Sequence, residues 1–393
     1  MYENVHLKFS PALICLFLVA CSDVDDSATT VTMVDSVREV VSHAPEPLPA
    51  PWILIEELSI GVDYGDEDYM LRRPWALMVL DNETIVILDS NPLQLRLFDS
   101  DGLSLTAFGK SGDGPGDLVF SGSNGTTMRP ASNNSFEILS NWPIRAQTWN
   151  VSGSLEDIKT MPSDHPFLLG SRPRIKWFIG SNLFGVVHDY QRLDSGETEV
   201  TTYLLLSNLV GTKCDTIFTF QSYLDMPTSA GMAQASMDYT PDDAYMMTKD
   251  GRIYYSMMTE DWIQEIDPEN NKIIMRFHWE HEPDAIPESL IKKSTEQFGS
   301  TLGEGAAWLR EHVYMIYLAE GPDGEIWVQR TGEPDQDGFY PTDVFRNDGF
   351  YRGRLFLPFQ PRLQFIKGRY LYAFSTTEEG APTMVRYRLE PAN

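Results

Sequence analysis

The chain has 393 residues, 42% of them hydrophobic and 12% aromatic, ample for the packed core of one large domain or two ordinary ones. Its formal net charge of −27 argues against nucleic acid or a bare anionic membrane as partner, because such a field repels polyanions. The acidity itself is read as a solubility feature.

Residues Pro11 to Ala20 form an apolar run that is too short to span a bilayer but fits the hydrophobic region of a secretory signal. The following Leu18-Val19-Ala20-Cys21 resembles the cleavage box of a bacterial lipoprotein precursor. By that resemblance residues 1–20 are a signal peptide and Cys21 becomes the lipid-bearing first residue. The chain then belongs to the cell envelope and meets the membrane through this anchor only, and Ser22 after the cysteine implies outer-membrane sorting. Cys214 would be the one thiol left, flanked by Lys213 and Asp215 and read as structural. Residues 21–51 read as a flexible, Pro-rich tether, since Pro45, Pro47, Pro49 and Pro51 remove backbone donors and favour extended chain. About thirty such residues reach ~100 Å at most. A short helix over Val31 to Val41 is possible within it.

The clearest stretch runs from Trp75 to Gly116. Strand signals fall at Trp75 to Val79, Thr84 to Leu88, Leu93 to Phe98 and Leu103 to Phe108, separated by Asp81-Asn82, Ser90-Asn91-Pro92 and Ser100-Asp101-Gly102. The second strand is apolar without a break and the outer two alternate, so the unit is buried at its inner edge and half wet at its outer edge. Looser copies follow, each cued by a turn and an aromatic or β-branched strand, at Asn133-Asn134, Gly180-Ser181-Asn182, Asp250-Gly251, Asp323-Gly324 and Gly368. The last copy lacks a fourth strand, and Trp52 to Ile60 has strand character with no other home. Pairing the two closes a ring.

The wording Asp89-Ser90-Asn91, Leu95-Arg96-Leu97-Phe98-Asp99, Phe108-Gly109 and Gly112-Asp113-Gly114-Pro115-Gly116 resembles an NHL-type repeat. The chain is similar to bacterial six-bladed β-propeller proteins that often carry lipoprotein signals. The expected fold is therefore all-β: a six-bladed propeller over residues 52–393, its N-terminal strand closing the last blade. A helical insertion is expected between blades 4 and 5, with helix signals at Glu288 to Phe298 and Ala306 to Val313.

About 57 residues per blade exceed the ~40–45 of a lean blade. On a propeller the tight hairpin turns share one face, and the long segments fall on the other: Gly109 to Pro130, His188 to Thr202, Gln221 to Ala244, Glu280 to Val313 and Arg330 to Pro341. That face is the expected working surface. Arg72, Arg73, Arg129, Arg172, Arg174 and Arg362 precede first strands of blades there, where guanidinium groups can hold a carboxylate or sulfate. Trp142, Trp308 and Tyr340 are candidates for stacking on sugar or peptide.

Several chemistries find no support. Gly109-Lys110-Ser111 lacks the first glycine of a phosphate loop, and no nucleophile elbow occurs. His278 and His281 are expected on opposite faces of a strand. The preferred expectation is a binding module for a protein, small molecule or glycan, without catalysis and without a cofactor. Alternatives are a lactonase- or lyase-like enzyme with a divalent cation in the axial channel, for which Asp89, Asn91, Asn141 and Asp189 are candidates, and a glycan-binding component of an uptake system.

Overall fold

The computed structural model describes residues 28–112, 114, 116–119, 126–141, 144–162, 165, 171–177, 182–192, 198–208, 214–224, 243–257, 261–281, 292, 315–330, 332–336, 338–358 and 365–392. Three strands precede the first full blade: β1 (Thr29–Val34), β2 (Val37–Ser42) and β3 (Trp52–Ile60). Blade 1 is β4 (Pro74–Val79), β5 (Ile85–Ser90), β6 (Leu93–Phe98) and β7 (Ser104–Phe108). Blade 2 is β8 (Thr126–Ser132), β9 (Ser135–Asn141), β10 (Ile144–Asn150) and β11 (Leu155–Thr160). Blade 3 is β12 (Ser171–Trp177), β13 (Asn182–Arg192), β14 (Thr198–Asn208) and β15 (Cys214–Leu224). Blade 4 is β16 (Asp243–Met247), β17 (Ile253–Met257), β18 (Ile263–Asp267) and β19 (Lys272–Trp279). Blade 5 is β20 (Met315–Glu320), β21 (Ile326–Arg330), β22 (Phe339–Phe345) and β23 (Tyr351–Pro358). Blade 6 is β24 (Phe365–Lys367), β25 (Tyr370–Thr376) and β26 (Pro382–Pro391), completed by β3.

The expected closure is present: β3 pairs antiparallel with β26, from Pro391 opposite Trp52 to Met384 opposite Ile60. The six sheets stand in a ring, and the core divides among their interfaces. Met78 and Val86 meet Phe136 and Trp149 between blades 1 and 2, for example, and Tyr254 and Phe277 meet Val328 and Phe345 between blades 4 and 5. Each large side chain buried this way contributes about 1.5–3 kcal/mol. Second strands such as β5 are buried on both faces, which explains their unbroken apolar wording.

One regularity runs round the ring. In all six blades the pairing of third strand with fourth is interrupted by a register shift, as between Leu97 and Phe98, Thr148 and Trp149, or Val344 and Phe345. A bulge there bends and twists the outer edge, which disfavours the addition of further strands, and among the described residues only β19 of blade 4 takes one.

The expectation of a flexible tether fails from residue 29 onward. β1 and β2 form a hairpin, and β2 runs parallel to β19, making blade 4 a six-stranded sheet. Asp35 (φ 49°) and Ser36 (φ 70°) make a two-residue turn with left-handed backbone, and Thr and Val on either side favour strand over helix. The Pro-rich stretch then passes from blade 4 to blade 5: Trp279 Nε1 donates to Ala44 O at 2.8 Å and Arg354 N to Leu48 O at 3.0 Å. Residues 29–60 thus form a strap across blades 4, 5 and 6.

Antiparallel pairing puts the turns within inner and outer hairpins on one rim and the long crossings, with the middle turns, on the other, as expected. Of the expected loop His188 to Thr202, residues 188–192 and 198–202 are strand, however. Its flanks extend β13 and β14 in register as far as Arg192 opposite Thr198, so blade 3 projects beyond the ring on the long-crossing rim. Both helix signals between blades 4 and 5 lie outside the described residues, apart from Lys292.

Candidate functional site

On the long-crossing rim, residues 61–73 carry the chain from β3 into blade 1. Asp89, fully buried at the end of β5, accepts hydrogen bonds from Arg72 N at 3.0 Å and Arg73 N at 2.8 Å, and Arg96 Nε lies 3.5 Å from it. Arg96 Nη1 in turn donates to Glu67 O at 2.8 Å and Asp68 O at 3.1 Å. The crossing is fixed from beneath, while the Arg72 and Arg73 side chains stay exposed. Asp89 is thereby committed to the backbone.

Beside Arg72 a groove of about 360 Å³ opens between this crossing and the turn from β25 to β26. Asp63, Tyr64, Leu71, Arg72, Glu379 and Pro382 line it. Thr377 Oγ1 donates to Asp63 Oδ1 at 2.8 Å, joining the two walls. Tyr64 is 82% exposed, so its ring is available to a ligand. A groove of this size with both charge signs and an aromatic wall can hold a small polar ligand.

The glycine-rich stretch after β7 is a wedge between blades 1 and 2. Asp117 O accepts from Arg145 Nη2 at 2.6 Å and Gln147 Nε2 at 2.9 Å, and Leu118 enters the core. Arg145 here does for one crossing what Arg96 does for another.

Between blades 4 and 5 lies a charged network that sequence reasoning missed. Arg330, with no exposed surface, donates from Nη1 to Asp261 Oδ1 at 2.6 Å and from Nε to Asp343 Oδ2 at 2.6 Å. Arg354 Nε donates to Asp343 Oδ1 at 2.7 Å and Tyr351 OH to the same atom at 3.3 Å. His278 Nδ1 and His281 Nδ1 approach Asp261 Oδ2 at 3.2 and 3.6 Å. The expectation that these histidines diverge fails because β19 ends at Trp279, after which His281 folds back to stack on that indole at 4.2 Å. Burial pushes the Asp261 carboxyl up, but Arg330 and the two imidazoles outweigh it and leave it below the usual range. Burial and the Asp343 charge raise the Tyr351 phenol. The network consists of mutually compensating charges, an arrangement that fixes how two blades meet. Among the described residues, no group of three or more His, Cys, Asp or Glu is arranged to hold a metal.

The other sequence candidates scatter. Arg129 sits within β8 and pairs with Glu137, so it belongs to the blade rather than the rim. Arg172 and Arg174 fall on β12, the inner strand of blade 3. Tyr340 is half-buried at the start of β22, its phenol raised by burial and by Glu333. Cys21, Trp142, Trp308 and Arg362 lie outside the described residues. The Cys214 thiol is pushed up to about 11 by burial and by Asp215, which keeps it protonated and unreactive. Tyr64 and the Asp63–Thr377 contact were not legible beforehand, because the opposite wall of the groove comes from residues more than three hundred positions away.

Comparison with protein-family models and with curated proteins gives no match. Among solved structures, a member of the DUF4221 family from Bacteroides vulgatus is 11% identical with a TM-score of 0.51, covering 87% of this chain and 99% of that one. A protein of unknown function from Bacteroides thetaiotaomicron is 12% identical with a TM-score of 0.43, covering 93% and 92%. Virginiamycin B lyase from Staphylococcus aureus is 11% identical with a TM-score of 0.43, covering 86% and 100%. The likeness to the DUF4221 structure is one of fold, and by sheet order and closure this chain is a six-bladed β-propeller.

Proposed function

We propose that the protein is an envelope-held binding propeller, anchored through Cys21, that takes a ligand or partner protein on its long-crossing rim without transforming it. In this reading Arg72 and Arg73 receive an anionic group, and Tyr64 supplies a stacking surface within the groove. The supporting observation is the buried Asp89, whose carboxylate accepts from the backbone N–H groups of both arginines and leaves their side chains exposed, that of Arg72 at a groove, in a strongly acidic chain. Adjacent guanidiniums suit carboxylate or sulfate.

The test is capture on peptide and glycan arrays. Wild-type protein should retain anionic members of the array, Tyr64→Ala should weaken that capture, and Arg72→Ala/Arg73→Ala should abolish it. Undiminished capture by the double variant would remove the reading. The anchor is tested separately, by incorporation of labelled palmitate that disappears in Cys21→Ala.

A further inference from the structure

We infer that β1 is a self-association edge, pairing antiparallel with β1 of a second copy across a two-fold axis. In all six ring blades a bulge interrupts the pairing of third strand with fourth, and among the described residues only blade 4 takes further strands, the added hairpin itself. The added hairpin has none: all six residues of β1 pair with β2 in unbroken register, from Thr29 opposite Ser42 to Val34 opposite Val37. Among the described residues β1 has no neighbour on its other side. It also lacks the charges and prolines that blunt natural edges, since its wording is Thr-Thr-Val-Thr-Met-Val. Exposed β11, by contrast, carries Glu156, Asp157 and Lys159.

The exposure of β1 is apolar as well as open. Val31, Met33 and Val34 are 46, 66 and 42% exposed. A second copy fits this edge for electrostatic reasons. Two chains of net charge −27 repel almost everywhere, and a strand without charge offers a contact that opposes no like charges. Antiparallel pairing about a two-fold at Val31 sets Val31 against Val31 of the other copy, Thr30 against Thr32 and Thr29 against Met33, so the strand is its own complement. Such an isologous contact closes at two copies. Six residues a side make an interface well below the ~1,600 Å² standard, so the dimer should depend on concentration.

Sedimentation velocity of the full chain in non-ionic detergent, from about 1 to about 100 μM, tests this. The expected mass doubles over that range and the shift moves to lower concentration as salt is raised. Val31→Lys/Met33→Lys should sediment as monomer throughout, whereas Leu103→Lys/Leu105→Lys on β7 should still dimerise. A disulfide between copies of Val31→Cys, not formed by Leu105→Cys, would report the same contact without a charge change. A wild-type monomer at every concentration, or a dimer indifferent to the β1 lysines, overturns the inference. So does a monomer whose binding to phosphatidylcholine vesicles is lost in the lysine variant, which would give the strip to lipid instead.

Discussion

The indole of Trp52 donates its N–H to the buried carboxylate of Glu325 at 2.7 Å, joining residues 273 positions apart. Trp327 donates to the same oxygen at 3.0 Å, and Arg352 pairs with the other. The start of the closing strand is therefore locked to blade 5 as well as paired within blade 6. Trp52→Phe should cost about 1–3 kcal/mol, the price of one buried hydrogen bond and lost packing, measured by urea denaturation.

Glu325 also sets a pH signature. Burial raises its carboxyl above the ordinary 4.5, against the pull of the two indoles and Arg352. The folded chain then holds this proton longer than the unfolded one, so the associated stability is complete below 4.5 and declines as pH rises through the folded value. Glutamine cannot ionise and lacks that decline. Glu325→Gln should therefore lose most, relative to wild type, near pH 4, with the gap narrowing toward pH 7 by about 1.4 kcal/mol for each pH unit separating the two titrations. A gap that widens with pH contradicts this account.

Arg330 is the keystone of the charged network between blades 4 and 5. Arg330→Met leaves Asp261 and Asp343 buried beside each other with less compensation and should destabilise the fold by roughly 3–5 kcal/mol. Adding Asp343→Leu should recover part of that loss, which a double-mutant cycle in urea would show. The lowered Asp261 carboxyl adds an acid limb: its contribution is present above about pH 4 and fades as pH falls through its folded value. Asp261→Asn should flatten that limb.

Gly353 is a point where the strap passes directly over blade 5. Its φ of 138° disfavours a side chain, and a Cβ there would come within 2.1 Å of Pro49 O. Gly353→Ala should loosen the segment between β2 and β3, read as faster amide hydrogen exchange at Ala44, Glu46, Leu48 and Ala50 with the ring unchanged. Exchange at wild-type rates would show that the strap shifts without penalty.

Much of the ring was legible because its signals are local. The four strands anticipated between Trp75 and Phe108 match β4 to β7 within about a residue or two, since alternation and turn residues act over a few positions. Closure was also readable, because Trp52 to Ile60 and the incomplete last blade each lacked a partner. The hairpin at 29–42 was misread for the opposite reason: the strand that stabilises it, β19, lies 237 positions away at Arg276 and Glu39. The Val-Thr wording around Asp35-Ser36 was a hairpin signal, overshadowed by the prolines after it. At the candidate site, Arg72 and Arg73 stood out by charge. What holds them, a carboxylate turned inward to amide groups, is a matter of direction that composition does not encode.

The strap has one more consequence, for orientation. Thr29 lies opposite Ser42, and Ser42 sits beside Trp279 at the end of β19 that borders the long crossings. The chain therefore enters β1 on the same side of the disc as the groove beside Arg72. With the Cys21 anchor proposed above, the groove would face the surface that holds the chain, and a ligand seated beside Arg72 would lie between the ring and that surface.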